Sequence, residues 1–408
     1  MNILYLEHYA GSPEMGMEFR PYYLAREWVK AGHTVRMAAG DYSHHRGRNP
    51  VVTKDFEEQN IDGIIYTWIR TGSYEGNGAA RAMSMFRFVW KLRRRAGRIA
   101  KEWKPDVVIC SSTYPMDTWA GQKIRRKSGA KLIHEVHDMW PISLYELGGM
   151  KKSNPFAILT QAAENSFCKK SDAVVSLLCA AKDYLVQHGM KPEKFHVVMN
   201  GVVQEEWENP APLPEEHAAL LRKLRAEGKF IIGFFGGINR AYALDYLLRA
   251  MKQAGGDRAA AVIVGEGDQK EELKTLAGDE LGKSIFFLPW IPKIAIPTLT
   301  EAIDACYVGA LKNDMFRFGI CMNKLFDSMM AGKPILYAVE APNNLIRDYD
   351  CGVCTEAENE AALAEGIRTL LAMSPEERER MGRNGRQAVL EHFTYEKLAE
   401  EFIHVISG

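Results

Sequence analysis

One pattern recurs along the whole chain: a short apolar run rich in β-branched residues, a turn with glycine or proline, and an amphipathic stretch of helical period. Such alternation predicts parallel sheets whose strands are joined by right-handed helical crossovers. A first helix is predicted from Gly16 to Ala31. The predicted strands of the first half are 2–7, 34–39, 107–110, 131–136, 173–177 and 197–199, and those of the second half are 230–236, 261–264, 285–288, 305–310 and 334–338.

A proline-rich segment separates the two halves. Pro210, Pro212 and Pro214 interrupt any regular pattern, so residues 203–228 are predicted to form a linker with one helix at 215–226. A chain of 408 residues is too long for one ordinary core, and we expect two Rossmann-like, doubly wound α/β domains. Ligands of open parallel sheets bind beyond the carboxyl ends of the strands, which predicts an active site in a cleft between the domains.

Composition excludes several classes of protein. Hydrophobic residues make up 47% and charged residues 25% of the chain, as in globular proteins, and no apolar run approaches the length of a membrane span. The seven cysteines are irregularly spaced, and the pair Cys351 and Cys354 has no second pair to complete a zinc site, so reduced thiols are expected. The first residues form a strand-like run without a basic leader, which favours a cytoplasmic location.

Positive charge is concentrated in the first half. Residues 1–200 hold 29 Lys and Arg against 20 Asp and Glu, although the whole chain has 52 of each. Residues 86–104 contain eight cations, among them Arg93, Arg94 and Arg95, against one acid, interleaved with aromatic and aliphatic residues. This composition is typical of an interfacial helix on anionic lipid, and a solvated helix with an apolar core face is the alternative. No nucleic-acid recognition module accompanies the charge, so nucleic acid is not an expected partner.

Five short motifs follow one another across both halves. They are His134 to Pro141, Asn200-Gly201-Val202, Gly265-Glu266-Gly267, Asn323 to Asp327, and Ala331 to Pro334. In this order they resemble family 4 of the retaining GT-B glycosyltransferases over nearly the whole chain. Within that family the chain is most similar to transferases of surface-polysaccharide assembly (colanic acid, capsule and O-antigen), including those that resemble fucosamine transferases.

The resemblance implies a group 1 hexosyltransferase of GT-B fold. Residues 1–203 would bind the acceptor, 204–390 would bind the nucleotide sugar, and a final helix within 391–408 would pack back on the first domain. The expected donor is a UDP-sugar, the expected acceptor is a lipid-linked glycan, and no metal is required. The enzyme would then be cytoplasmic, with a peripheral position on the inner membrane.

The segment after Gly319 is the main candidate for donor binding. It runs from Ile320 through Asn323 and opens a helix, so free amides and Lys324 would face an anion, by resemblance a nucleoside diphosphate. Asp327, one turn after Asn323, can accept hydrogen bonds from ribose hydroxyls. A solvated helix face remains the alternative.

His137 and Asp138 follow a predicted strand, where a parallel sheet presents catalytic groups. By resemblance, His137 would hydrogen-bond the donor sugar or its phosphate, and Asp138 would orient the acceptor. A purely structural histidine is the alternative. His134 points to the other face of the strand by alternation and is expected to pack in the core.

Two glycine loops follow predicted strands. One loop ends at Gly16, and the other is the turn at Gly265 and Glu266. Their glycines could bring the backbone close to the donor, and Glu266 could contact the nucleotide. Plain tight turns are the alternative.

The chain also departs from the family pattern. Gly319 stands where the family usually has its first Glu, and Gly237 and Tyr242 stand where Arg and Lys are usual, which leaves Arg240 as the nearest cation of that loop. Three alternatives stay open: a GT-B-fold UDP-sugar 2-epimerase, a transferase with a small soluble acceptor, and a non-catalytic protein that binds sugar nucleotides.

Overall fold

Two mostly parallel sheets organise the computed structural model, which describes residues 1–16, 19–76 and 78–408. Each sheet belongs to one unit of the chain. Met1–Met199 together with Tyr395–Gly408 forms the first unit, and Asn200–Thr394 forms the second. The boundary predicted at residues 203 and 204 lies a few residues beyond this division.

The sheet of the first unit has the strand order β3-β4-β2-β1-β5-β6-β7-β8 in the described residues. All neighbours are parallel except β3 and β4. Strands β1, β5 and β7 are buried on both faces, which is why they read as continuous apolar runs. The strands are β1 Asn2–Leu6, β2 Thr34–Gly40, β3 Glu57–Ile61, β4 Ile64–Ile69, β5 Val107–Cys110, β6 Lys131–Val136, β7 Ala173–Ser176 and β8 Phe195–Val197.

Helices cover both faces of this sheet and connect its strands. The first helix begins at Phe19 in the described residues, and the two positions of its predicted span just before Phe19 lie outside them. The helices are α1 Phe19–Lys30, α2 Ala79–Trp103, α3 Thr118–Ser128, α4 Ile142–Glu146, α5 Pro155–Lys170 and α6 Lys182–Gln187.

The sheet of the second unit is parallel throughout, in the order β11-β10-β9-β12-β13-β14. Its strands are β9 Phe230–Phe235, β10 Ala259–Val264, β11 Ile285–Leu288, β12 Ala305–Gly309, β13 Ile335–Ala338 and β14 Gly352–Cys354. Its helices are α7 Gln204–Glu208, α8 Glu215–Ala226, α9 Leu244–Ala254, α10 Lys270–Ala277, α11 Ile296–Glu301, α12 Asn323–Met330, α13 Leu345–Asp348, α14 Glu360–Ala372 and α15 Pro375–His392.

Strand order reverses beside β1 in the first sheet and beside β9 in the second. From β1 the chain adds β2 on one side and β5 on the other, and from β9 it adds β10 on one side and β12 on the other. Such switch points are where open α/β sheets bind ligands, beyond the carboxyl ends of the strands. The segments after β1, β5 and β6, and those after β9, β10 and β12, are therefore the places where function is expected.

The final helix, α16 (Tyr395–Ser407), belongs to the first unit and packs on α1. The indole of Trp28 donates a hydrogen bond to the Ala399 carbonyl at 3.1 Å, and its ring lies 5.3 Å from that of Phe402. The predicted return of the chain to its first domain is confirmed. In the part of the chain that the structure describes, no helix is long and apolar enough to cross a bilayer.

Candidate active site

A buried ion pair lies at the centre of the first unit. The Arg20 guanidinium donates to Glu135 Oε1 through Nε at 3.0 Å and Nη2 at 2.8 Å, while Tyr5 and Ser111 each donate a hydroxyl proton to Glu135 Oε2 at 2.6 Å. Burial alone would raise the pKa of Glu135, but the Arg20 charge and the hydrogen bonds to the carboxylate hold it well below its usual range. Glu135 is therefore an anion in the interior of the protein.

Arg20 also binds the end of β8. Its Nη2 donates to the Val198 carbonyl at 2.9 Å and its Nη1 to the Met199 carbonyl at 2.5 Å. One side chain thus connects α1, β6 and the segment after β8. This arrangement fixes the carboxyl end of β6, from which the chain continues to His137.

His137 is oriented by this network. Because Ser111 donates its proton to Glu135, its oxygen accepts from His137 Nε2 at 2.7 Å, and Glu135 Oε2 lies 3.3 Å from the same nitrogen. The network assigns a proton to Nε2 and leaves Nδ1 for other partners. The side chain is 18% exposed, so a ligand can approach it.

The neighbours of His137 differ in exposure. Asp138 is exposed, and its carboxylate accepts from the Met139 amide at 2.8 Å. His134 is buried and stacks on Phe167 with ring centroids 3.8 Å apart, which confirms its predicted place in the core.

The loop after β1 is held by side chains from elsewhere in the first unit. Arg46 donates to the Ala10 carbonyl and Tyr66 to the Gly11 carbonyl at 2.5 Å. Gly16 is exposed at the end of this loop with a φ of 79°, which favours glycine. The loop is thus fixed at its start and exposed at Gly16.

In the second unit, the loops after β9 and β10 touch through their backbones. A side chain at Gly265 would overlap the Gly236 carbonyl, and one at Gly267 would overlap the Ile238 carbonyl. Ile238 N donates to the Glu266 carbonyl at 2.8 Å, so the two loops form one surface. Glycine is required at these positions by close approach.

Lys324 lies beside these loops, at the start of α12. Its Nζ is buried and has no hydrogen-bond partner among the described residues. The nitrogen lies 3.1 Å from the ring centroid of Tyr242 and 3.9 Å from that of Phe234. It is also close to the loop after β9, since a Cβ added at Gly236 would lie 3.2 Å from this nitrogen. Burial holds the pKa of Lys324 well below its usual value. A buried ammonium without acceptors is costly, so an anion bound at this position would stabilise the charged form of Lys324.

The other predicted donor residues surround Lys324 in sequence. Asn323 is exposed in the first turn of α12, which begins without a side-chain cap, and Asp327 is buried, with the pKa of its carboxyl raised by burial. Ile320 is buried, and its backbone is bonded to the side chain of Asn343: the Ile320 N–H donates to Asn343 Oδ1 at 2.9 Å, and the Ile320 carbonyl accepts from Asn343 Nδ2 at 2.8 Å. Its amide therefore positions the segment rather than facing a ligand.

Two predicted residues of the glycine loops are exposed. Arg240 lies in the loop after β9, and Glu266 lies in the loop after β10. Glu266 pairs with Lys270 at 2.8 Å, and this hydrogen bond lowers the pKa of the Glu266 carboxyl.

Two family models match the sequence. Glycosyltransferase Family 4 matches residues 15–206, and Glycosyl transferases group 1 matches residues 219–388. The chain belongs to the family 4 glycosyltransferases. It is therefore an enzyme of the glycosyltransferase class that uses a nucleotide sugar, as its motifs predicted.

Relatives and solved structures agree with this assignment. The chain is 24% identical to WbjE of Pseudomonas aeruginosa, a probable glycosyltransferase, over 67% of this chain and 66% of that protein. It is 23% identical to WcaI of Escherichia coli, which is named for colanic acid biosynthesis, over 67% of this chain and 68% of that protein.

Two solved structures share the GT-B fold at 16% identity. Sucrose-phosphate synthase of Thermosynechococcus elongatus matches with a TM-score of 0.72 over 100% of this chain and 98% of that one. HepE of Anabaena, in complex with UDP and glucose, matches with a TM-score of 0.65 over 100% of both chains. At this identity the likeness establishes the fold alone.

The structure of this glycosyltransferase adds residues that sequence reasoning missed. Arg20 and Glu135 were not assigned a role, although an acidic residue inside an otherwise apolar strand is a signal that a partner exists. Trp290 follows β11, is 63% exposed, and donates its backbone N–H to Glu266. An exposed tryptophan beside the glycine loops is a candidate surface for stacking a base.

The basic stretch lies on α2 of the transferase and divides into two groups. Arg93 donates to the Trp119 carbonyl at 3.2 Å, and Arg95 lies 3.9 Å from the ring centroid of Phe56, so both are engaged inside the unit. Of the three predicted arginines, Arg94 is the exposed one. We define the α2 face as the exposed residues of this helix at helical spacing: Met83, Arg87, Trp90, Arg94, Arg98 and Lys101.

The buried ion pair gives a stability prediction. Glu135→Gln leaves the Arg20 charge buried without its counter-ion, and we expect it to lower the free energy of unfolding by about 3–5 kcal/mol. The exposed pair Arg98–Glu102 provides the control, since Glu102→Gln should cost at most about 1 kcal/mol. Urea unfolding of both variants measures this difference, and equal costs would contradict the central role of the pair.

Proposed function

We propose that this glycosyltransferase transfers a sugar from a UDP-sugar, with retention of configuration, to a lipid-linked glycan at the inner membrane surface during synthesis of a bacterial surface polysaccharide. The observation that carries the proposal is the buried Lys324 ammonium, which contacts two aromatic rings beside the glycine loops and has no acceptor among the described residues.

A donor diphosphate would supply the acceptors that Lys324 lacks. The diphosphate brings at least two negative charges, and a helix end offsets only about half a unit charge, so side-chain cations are needed. Lys324 would provide one of them at the start of α12. Arg240, exposed on the loop after β9, would provide a second one.

The nucleoside would lie along the same surface. Trp290 presents an exposed ring for the base beside Glu266, and Asp327, at the second turn of α12, would accept from the ribose. The HepE complex supports the choice of UDP, because a protein of the same fold holds that nucleotide.

Retention requires that the acceptor attack on the face from which the diphosphate departs. The transition state is then oxocarbenium-like, and groups that hold the sugar and the departing charge matter more than a strong base. His137 is suited to this role because Glu135 and Ser111 fix its ring through Nε2, and Nδ1 stays available to accept a hydrogen bond from a hydroxyl of the sugar. Asp138, exposed next to it, would orient the acceptor. No step in this scheme uses a metal.

The α2 face supports a membrane-bound acceptor. It places exposed Met83 and Trp90, 50% and 56% exposed, among four cations on one side of a long helix. Apolar side chains set among cations are what a helix needs to lie on an anionic bilayer. The name of WcaI supports a role in a surface polysaccharide.

A soluble acceptor is the second candidate, because sucrose-phosphate synthase shares the fold. The enzyme should therefore be incubated with UDP-sugars, with and without vesicles that carry a lipid-linked glycan. Sugar transfer to the lipid with the donor's anomeric configuration, read by NMR, supports the proposal. Transfer to sugar phosphates alone would favour the transferase with a soluble acceptor. Turnover of donor without any acceptor would favour the epimerase, and donor binding without turnover would favour the non-catalytic protein.

The first prediction concerns Lys324 and Arg240. Lys324→Met and Arg240→Ala should each weaken UDP binding by about 1.5–3 kcal/mol, the range for a hydrogen bond to a charged group, while uridine binds as before. Isothermal titration measures both ligands, and Lys312→Met, an exposed lysine of the same unit, is the control. Equal losses for UDP and uridine would indicate misfolding, and an unchanged affinity for UDP would place the phosphates elsewhere.

Lys324 should also link UDP binding to pH. Burial lowers its pKa in the free protein, and a bound diphosphate would raise it, so binding takes up protons between the two pKa values. The affinity for UDP should fall as pH rises through that window. Titrations in buffers of different ionisation enthalpy should detect this uptake in the unmodified enzyme and not in Lys324→Met.

The second prediction concerns His137. His137→Ala should lower turnover by about 100-fold or more, the usual effect of losing one hydrogen bond that stabilises the transition state, with little change in UDP affinity. His392→Ala, an exposed histidine in the second unit, is the control. Unchanged turnover in purified His137→Ala would end the assignment.

The third prediction concerns the α2 face. Changing Arg94, Arg98 and Lys101 to Glu should weaken binding to anionic vesicles by about 100-fold or more, since each cation near such a surface contributes about 1 kcal/mol. The matched control reverses three exposed charges of the second unit, Arg222, Lys223 and Arg383. Vesicle sedimentation compares them. Equal binding by the two variants, or no binding by the unmodified enzyme, would contradict the membrane role.

A further inference from the structure

Three side chains of metal-binding type meet inside the first unit. Cys110 ends β5, Asp117 ends the short helical turn that follows it, and His134 lies in the neighbouring strand β6. One possible ligand atom from each lies within 4.8 Å of the other two. Cys110 and Asp117 are 0% exposed and His134 is 2% exposed, so the cluster is closed to bulk water.

Two polar atoms of this cluster lack partners. Asp117 Oδ1 and His134 Nδ1 are buried without a hydrogen bond to any described residue. The other carboxylate oxygen accepts from the Ser112 amide at 2.9 Å, and the Cys110 thiol makes a long contact, 3.7 Å, to the Asp117 carbonyl. Buried polar atoms are nearly always bonded in folded proteins, so two orphans in one cluster indicate a bound species between them.

The chemistry of the three groups selects a divalent transition metal. A thiolate and a carboxylate carry two negative charges and the imidazole is neutral, so a divalent cation makes the buried cluster neutral. Sulfur, nitrogen and oxygen donors of this kind bind zinc, whereas magnesium and calcium prefer oxygen ligands throughout.

We propose that Cys110, Asp117 and His134 bind one Zn²⁺ ion with a structural role. The ion would join the end of β5, the turn after it and β6. Because β6 carries Glu135 and leads to His137, the ion would help to fix the strand that presents the candidate catalytic residue. This inference does not depend on the proposed donor or acceptor, and the ion takes no part in the transfer.

The test measures metal in the full chain, purified without a metal-binding tag after growth with added zinc. We expect about one zinc per chain by plasma mass spectrometry, retained through gel filtration with EDTA. Replacement by Co²⁺ should give a thiolate-to-cobalt charge-transfer band. Cys110→Ala, Asp117→Asn and His134→Gln should each lower zinc per chain by about tenfold or more, since even loss of an outer partner of a ligand costs that much.

Cys168→Ala is the matched control, because Cys168 is also fully buried in the first unit but lies outside the cluster. It should keep its zinc and its cobalt band. Absence of zinc and of a cobalt band in the unmodified protein would overturn the proposal and leave a buried water as the bridging species. Zinc retained by folded Cys110→Ala and His134→Gln would also overturn it. If every cluster variant unfolds, the stoichiometry and the cobalt spectrum of the unmodified protein decide.

Discussion

The Arg20–Glu135 ion pair is the interaction on which the first unit depends. Both side chains are buried, so each charge requires the other, and the four hydrogen bonds that Glu135 accepts from Arg20, Tyr5 and Ser111 compensate for the loss of hydration. Because the pair joins α1, β6 and the segment after β8, a single change would disturb three elements. The same carboxylate also determines the orientation of His137, so stability and the candidate chemistry share one residue.

The second unit uses a buried charge in a different way. Lys324 has aromatic rings beside its ammonium where Arg20 has a carboxylate. On the proposed function, Arg20 is a structural cation and Lys324 is a cation that binds the donor. Lys324 would then take the place of the usual Arg and Lys, which this chain lacks at Gly237 and Tyr242. Tyr242 stands where the family usually has Lys, and its ring lies against the Lys324 ammonium. The residue that replaces one cation thus contacts another.

Much of the fold followed from sequence because buried parallel strands are mostly apolar. Strands Val107–Cys110, Lys131–Val136 and Ile285–Leu288 and the helix Glu215–Ala226 have their predicted bounds. The ribbon of β3 and β4 was missed because β3, at the sheet edge, has the polar sequence EEQNI and shows no apolar alternation. The three-residue strand β14 is too short to produce a pattern.

The candidate site was predicted less completely. Motifs drew attention to His137 and Lys324, but pairing between distant residues is not visible in one sequence. Arg20 and Glu135 are 115 positions apart, and nothing local to either indicates the other. In the basic stretch, composition could not separate Arg94, which faces water, from Arg93 and Arg95, whose partners come from other elements.

The position of α16 has a consequence for synthesis of the chain. The first unit needs Tyr395–Ser407 to cover Trp28, yet the whole second unit, Asn200–Thr394, is made in between. At about 5–20 residues per second, translation of that segment takes roughly 10–40 s. For this time the part of α1 that packs on α16 has no cover from its own chain. A nascent first unit is therefore a natural client for chaperones, and a ribosome that stalls within the second unit would release a protein with this face open.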